Sequence, residues 1–272
     1  MLSVLVIVKD SENLIRACLE SVRFADEIVV VDTGSSDETV SVARRFTYKV
    51  YKYEGKEESF SAWRNFGLSK VGGDYLFCLD SDERVLEPLR RELKGIVGEG
   101  ERSQVGAWKV ARRNIILGEE VKYAAFWPDF VIRLFRVKGL KGWQGEVHEQ
   151  PVFEGKLEDL KHPLLHLTHR DIDSMVIKSL DWANIDAKLR FEAHHPRMTG
   201  WRFIRIMLSE GWNQGIVRQG FFNGTVGVID SLLQVFSRYL SYVKLWQLQR
   251  RESLEQTYEN IDRKLIEDGF KY

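Results

Sequence analysis

Three short runs with almost no polar interruption mark the first third of the chain: Ser3 to Val8, Glu27 to Val31 and Tyr75 to Leu79. A half-solvated strand alternates apolar and polar residues. These runs do not, so each predicts a strand covered on both faces, as in a parallel sheet. Between the first two, Glu12 to Phe24 places Leu14, Ile15, Cys18, Leu19 and Val22 on one helical stripe, which completes a β-α-β unit. After the second run, residues 32–39 supply a glycine turn, and Ser35 with Glu38 three residues on predicts a capping-box start to a helix reaching about Phe46. Tyr48 to Tyr53 reads as a further strand, and Ser61 to Lys70 as a helix before Gly72-Gly73. The alternation predicts a doubly wound α/β sheet flanked by helices.

From Asp171 the pattern turns helical: Asp171 to Glu192, about Gly200 to Ser209, Gly215 to Gln249, and Glu252 to Asp268. The expected organisation is therefore an α/β domain over residues 1–170 and a helical region over 171–272. Ile229, Leu232, Leu233, Phe236, Leu240 and Val243 form one apolar stripe, the usual mark of a core-facing helix. Arg218, Arg238, Lys244, Arg250 and Arg251 nevertheless mingle with Phe221, Phe222, Tyr239, Tyr242 and Trp246, which also suits a helix resting on anionic lipid.

Charge narrows the function classes. Lys plus Arg and Asp plus Glu number 40 each in 272 residues, so the net charge is zero and the basic field of a nucleic-acid binder is missing. The two cysteines, Cys18 and Cys78, fit reduced thiols rather than a disulfide framework. Met1 to Val8 reads as a strand with no basic leader or cleavage site, and Gly220 to Ser237 is broken by Asn223, Asp230 and Gln234. The expectation is a cytoplasmic protein, soluble or in peripheral contact with the cytoplasmic face of a membrane.

The candidate chemistry lies in Leu79-Asp80-Ser81-Asp82-Glu83, where a buried apolar strand ends abruptly in carboxylates. In an extended segment Asp80 and Asp82 share a face, and two hard oxygen ligands suit Mg2+ or Mn2+ with positions left for phosphates. The bland reading is a solvated acidic turn. Asp10, Asp32 and Asp80 all follow predicted parallel strands, however, and so belong to the carboxyl edge where open α/β sheets bind ligands. No G-x-G-x-x-G follows the first strand and no G-x-x-x-x-G-K-[ST] occurs, so bound phosphates would be neutralised by a metal rather than by a glycine loop.

Val4-Leu5-Val6-Ile7-Val8-Lys9-Asp10 with Glu12, Asp26 to Asp37 with Thr39, Arg64-Asn65 with Gly67-Leu68, and Gly73 to Glu83 together resemble the family 2 glycosyltransferases of GT-A fold. The pattern spans about the first 90 residues. Gly145-Glu146-Val147-His148-Glu149 further resembles a segment of the branch that includes lipopolysaccharide-core β-glucosyltransferases. Where the family commonly carries Asn-Glu after the first strand, this chain has Asp10-Ser11-Glu12.

The resemblance implies an inverting, metal-dependent transfer of a hexose from a nucleotide sugar, UDP by expectation, to a hydroxyl of a glycan or glycolipid. It assigns Lys9, Asp10, Glu12, Asp32, Gly34, Ser35, Arg64, Asp80 and Ser81 to the nucleotide. Asp82 would hold the ion directly, with Asp80 as ligand or ribose contact and His148 as a further candidate beside the ion, the diphosphate or the acceptor. Glu149 is the first choice for the general base, with Asp129 and Glu146 behind it; the competing role for Glu149 is an ion pair with Arg133 or Arg136. Arg64 suits either a phosphate or the acid cluster. His166 and His169 are expected to be structural or on the acceptor side, and Trp108, Phe126, Trp127 and Trp143 to be core or sugar platforms. Two other readings keep the same residues: a nucleotidylyl or phosphoryl transferase, and a noncatalytic glycan-binding protein.

Overall fold

The computed structural model describes residues 1–100, 104–123, 128–145 and 149–270. It divides into two compact units, residues 1–168 and 169–272.

The first unit opens with β1 (Leu2–Val8), α1 (Glu12–Ser21), β2 (Glu27–Asp32), α2 (Thr39–Ala43), β3 (Val50–Lys52), α3 (Phe60–Leu68) and β4 (Tyr75–Asp80). β5 (Glu83–Arg84), α4 (Glu87–Glu99), β6 (Val105–Ile116), β7 (Glu119–Glu120) and β8 (Asp129–Arg136) follow. The unit closes with β9 (Leu140–Gln144), β10 (Gln150–Phe153), β11 (Lys156–Asp159) and β12 (Leu164–His166). The main sheet runs β3-β2-β1-β4-β8-β6-β12-β5. β3, β2, β1 and β4 are mutually parallel, whereas β8 runs antiparallel to both β4 and β6.

The uninterrupted strands are buried on both faces, as their composition requires. Val4, Val6 and Val8 pack in one layer with Ile15, Cys18 and Leu19 of α1 and Leu89 and Leu93 of α4. Leu5, Val29 and Val31 turn the other way, toward Phe66 of α3 and Trp143 of β9. Gly67 lets α3 approach closely, because a Cβ there would stand 2.5 Å from Leu5 Cδ1. Cys18 and Cys78 are free and buried, and burial pushes both thiols up. Trp108 and Trp143 are core residues that pack on Tyr75 and Phe135, not sugar platforms. Phe126 and Trp127 lie outside the described residues.

Three local expectations are corrected. The capping box at Ser35 does not form: the Ser35 hydroxyl accepts from the Asp10 amide instead, and α2 begins only at Thr39, whose amide is held by Asp37 Oδ1. The helix expected over Ser61 to Lys70 runs from Phe60 to Leu68, with Arg64 and Asn65 in its middle. Asp80-Ser81-Asp82 is not an extended segment, because β4 ends at Asp80 and residues 81 and 82 form a turn into β5.

The second unit contains α5 (Ile172–Glu192), α6 (Gly200–Trp212), α7 (Gly224–Leu248) and α8 (Leu254–Glu267). A π-helical turn at Asn213–Val217 and a 3-10 turn at Gly220–Phe222 separate α6 from α7, where a single helix from Gly215 was expected. Asp171 caps α5 through the Ser174 amide, and Thr199 caps α6 through that of Arg202. Among the described residues no helix is long and apolar enough to cross a membrane.

Candidate active site

The loops after β1, β2 and β4 meet at the carboxyl edge of the parallel strands. Asp10 adopts a positive φ of 44°, and its carboxylate accepts from the Ser36 amide at 2.7 Å. Glu12 reaches the Glu38 amide at 3.1 Å, and Asp37 accepts from the Glu12 amide at 3.0 Å. Buried Asp32 accepts from the Ser35 amide at 3.0 Å across Gly34, whose φ of +106° is a conformation that side-chain-bearing residues rarely adopt. Ser11 then ties the first loop to the third, its hydroxyl lying 3.2 Å from that of Ser81. Lys9 is exposed, and its carbonyl accepts from the Ser11 hydroxyl. The residues expected at the nucleotide are thus brought together, although Asp10 and Glu12 spend carboxylate oxygens on the neighbouring loop.

Beside them, acids and guanidinium groups alternate in a chain. Glu149 lies 3.5 Å from Arg64, and Arg64 lies 3.6 Å from Asp80. Asp80 pairs with Arg133, which also donates to Glu83 at 2.6 Å. Glu83 lies 3.9 Å from Arg112, and Arg112 lies 2.8 Å from Asp129. Glu83 and Arg133 are buried, so each charge survives only through its partner. Burial would raise the Asp80 carboxyl, but Arg133 and Arg64 override it and hold it well below the usual carboxylate range. For Glu83, burial reinforced by the charge on Asp80 outweighs Arg133 and pushes its carboxyl up. Arg133 is held firmly protonated, because Asp80 and Glu83 outweigh its burial.

Arg133 therefore serves Asp80 and Glu83, and the ion-pair partner of Glu149 is Arg64 rather than Arg133 or Arg136. Arg136 instead donates to the Gly100 carbonyl and lies over the Tyr75 ring. Asn65 bonds both the amide and the carbonyl of Trp143, which fixes α3 to β9 and leaves Arg64 as the residue α3 contributes to the cluster. Glu146 and His148 lie outside the described residues.

Asp82 faces His166, with Oδ2 3.4 Å from Nε2. His166 Nδ1 is 2.6 Å from Asn114 Oδ1, and Asn114 Nδ2 donates to Asp129 at 3.1 Å. Because carboxylate Asp129 can only accept, the Asn114 oxygen is turned to the imidazole and Nδ1 carries the proton. The Nε2 lone pair is then aimed toward a carboxylate. Two acceptors so placed call for a cation between them, either a proton or a metal, and the backing of the imidazole through its other nitrogen is the arrangement metal-binding histidines use.

The sequence reading missed Asn114, placed His166 with structure or the acceptor rather than beside Asp82, and offered Arg133 only as a partner for Glu149. Asn114 and Arg112 share one face of β6, and Asp129 and Arg133 one face of β8; polar residues two and four positions apart within largely apolar strands were the available signal.

Residues 3–124 match the sequence model of glycosyl transferase family 2. That segment is a family 2 glycosyltransferase domain. The protein is a glycosyltransferase, and its helix-flanked sheet, parallel over β3-β2-β1-β4, has the α/β architecture expected from the sequence. Similarity extends beyond the matched segment. The lipopolysaccharide core biosynthesis glycosyltransferase LpsC of Rhizobium meliloti is 26% identical, over 88% of this chain and 92% of its own. An uncharacterized glycosyltransferase of Rickettsia conorii is 24% identical, over 90% and 89% respectively. Among solved structures, TarS of S. aureus aligns over 95% of this chain and 91% of its own with 14% identity and a TM-score of 0.44.

Proposed function

We propose that this glycosyltransferase moves a hexose from a nucleoside diphosphate sugar, UDP by preference, to a hydroxyl of a glycan or glycolipid, with a divalent ion at Asp82 and inversion at the anomeric carbon. The observation that carries the reading is the carboxylate of Asp82 facing the aimed lone pair of His166, beside the loops that hold Asp10, Asp32 and Ser81. One carboxylate oxygen and one imidazole nitrogen fit Mn2+ better than Mg2+, which prefers oxygen alone, with sites open for phosphate oxygens. Such an ion supplies Lewis-acid stabilisation of the leaving diphosphate. Both Asp80 oxygens face guanidinium groups, so Asp80 is proposed to orient Arg64 and Arg133.

The protein's own groups divide the remaining work. Buried Arg64 Nε has no hydrogen-bond partner among the described residues, and its guanidinium lies between Asp80 and Glu149, which suits a donor reaching for a phosphate oxygen. Asp32 and the Asp10 and Glu12 loop hold the nucleoside. Glu149, oriented by Arg64, takes the proton of the acceptor hydroxyl. The Rhizobium meliloti relative, named for lipopolysaccharide core biosynthesis, supports a cell-envelope saccharide as the acceptor.

The test is calorimetric titration of UDP with and without Mn2+ into wild type, Asp82→Ala and His166→Ala. Wild type is expected to bind UDP at least tenfold more tightly with the ion, and both variants to lose that gain; equal affinity in all three removes the metal site. Glu149→Gln is expected to keep UDP affinity while the turnover number falls about 10²- to 10⁴-fold.

A further inference from the structure

Helix α7 of the second unit buries polar residues and leaves an apolar stripe exposed. Beside Val226 and Leu245 it buries Asp230, Ser231 and Ser241, and its partly exposed Arg238 reaches Asp186 of α5 and Glu210 of α6. On the opposite side Ile229, Leu232, Phe236, Tyr239, Val243 and Trp246 follow one another at three- and four-residue steps, and none is charged. Leu232 is 55% exposed and Phe236 41%. A helix whose apolar stripe met the core would show the reverse.

Helix α6 repeats the anomaly. Phe203 and Ile206 pack on the small core of Ala187, Met198 and Leu245, which satisfies one face. Its other face carries Trp201, Ile204, Leu208 and Trp212, all exposed, with Trp201 and Leu208 each at 69%. The two helices are neighbours, since the Phe203 ring lies 6.0 Å from that of Tyr239.

The charge around these faces has one sign. Residues 196–251 hold eight arginines and lysines against two acids, Glu210 and Asp230. Both acids are turned inward, Asp230 buried and Glu210 against Arg238, so what reaches solvent is basic, including Arg205 and Arg218. Residues 252–268 reverse the balance, with six acids against two basic residues. A second copy applied to this surface by a two-fold axis would bring one basic rim onto another. A nucleic acid would leave the aliphatic stripe uncovered. An anionic bilayer satisfies both features, and tryptophans at the two ends of α6 and in the last turn of α7 suit the headgroup level.

We propose that the outward faces of α6 and α7 are a docking surface that inserts shallowly into the interface of a membrane bearing anionic lipids. This placement is independent of the donor chemistry proposed above.

The full chain would be sedimented with vesicles of phosphatidylcholine alone and with one third phosphatidylglycerol, and tryptophan fluorescence followed in parallel. Binding at least tenfold tighter to the anionic vesicles, weakening as salt rises, with a blue shift of emission, is the expected result. The double variant Leu208→Asn with Leu232→Asn is expected to lose tenfold or more of that binding, with its thermal unfolding unchanged because both side chains are exposed. Arg202→Gln with Arg205→Gln is expected to remove most of the preference for the anionic vesicles. No binding to anionic vesicles, equal binding to neutral ones, or full binding by the leucine variant overturns the proposal. So does a dimer in sedimentation equilibrium that the leucine substitutions dissociate, which would give the face to a second copy.

Discussion

The candidate crevice of the first unit and helix α7 of the second both bury charge, but they differ in what they turn toward solvent. In the crevice, apolar strands are covered on both faces and release their acids only at the carboxyl edge, where every carboxylate meets a guanidinium, amide or imidazole. In α7 the buried residues include the polar Asp230, Ser231 and Ser241, while an apolar stripe through Leu232 and Phe236 is left outside. The first arrangement prepares a polar opening for a charged, water-soluble donor. The second prepares a contact with something apolar. The proposed transfer from a nucleotide sugar to a glycolipid would use both.

The comparison can be broken first at the arginines. Removing one partner of a buried ion pair strands the other charge, whereas an exposed pair is worth little. Arg133→Met is therefore expected to cost about 3–5 kcal/mol, since Glu83 and Asp80 lose their shared donor. Arg238→Met, whose side chain is 39% exposed beside Asp186 and Glu210, is expected to cost only about 0–1 kcal/mol. Urea unfolding of both variants measures the difference. Equal losses would mean that the inward charges of α7 are as tightly coupled as those of the crevice, and the contrast would fail.

The way these two regions read in the sequence explains what was legible. Uninterrupted strands and the acids ending them are local features, so β1, β2, β4 and the positions of Asp10, Asp32 and Asp80 could be placed from spacing alone. Arg133, Asn114 and His166 come from the antiparallel half of the sheet, more than 30 residues beyond Asp80 in every case, and only strand pairing brings them to it. The Ser35 capping box failed because a tertiary partner, the Asp10 amide, took the hydroxyl the local rule assigned to a helix. The stripe on α7 was read correctly as one face of a helix, but periodicity states only that a face exists. Whether it meets a core or the outside is decided by neighbours.

A smaller effect probes the base of the first unit, away from the crevice. Glu27, at the start of β2, accepts from the Ser3 hydroxyl, from Lys49 and from the Gly72 amide. Its burial would raise the carboxyl, but Lys49, Ser3 and Gly72 override that and hold it below the usual range. A depressed acid contributes stability that is present above its unfolded value and is lost as pH falls through the folded one. Glu27→Gln is expected to cost about 1.5–3 kcal/mol at pH 7. The gap between wild type and variant should narrow as pH is lowered below the ordinary carboxylate range. A gap that stays constant from pH 7 to pH 3 would show that the amide is missed for its packing rather than its charge.

The smallest effect returns to the second unit and asks whether α8 shares the behaviour of α6 and α7. Ser253 and Gln256 form a reciprocal capping box, and α8 buries none of its residues fully among those described. Most helical stability comes from tertiary packing, so a helix with so little of it depends unusually on its ends. Ser253→Ala should remove about 0.5–2 kcal/mol of local helix stability. Hydrogen exchange of the amides of residues 254–258 should accelerate accordingly, while the global unfolding midpoint stays in place, because little else leans on this helix. Ile261 and Ile266 are exposed as the α7 stripe is, yet the acidic balance of residues 252–268 gives them no anionic partner. Anionic vesicles should therefore protect amides in α6 and α7 and leave those of α8 exchanging at their free rate; protection of α8 alone would move the docking surface off the basic helices.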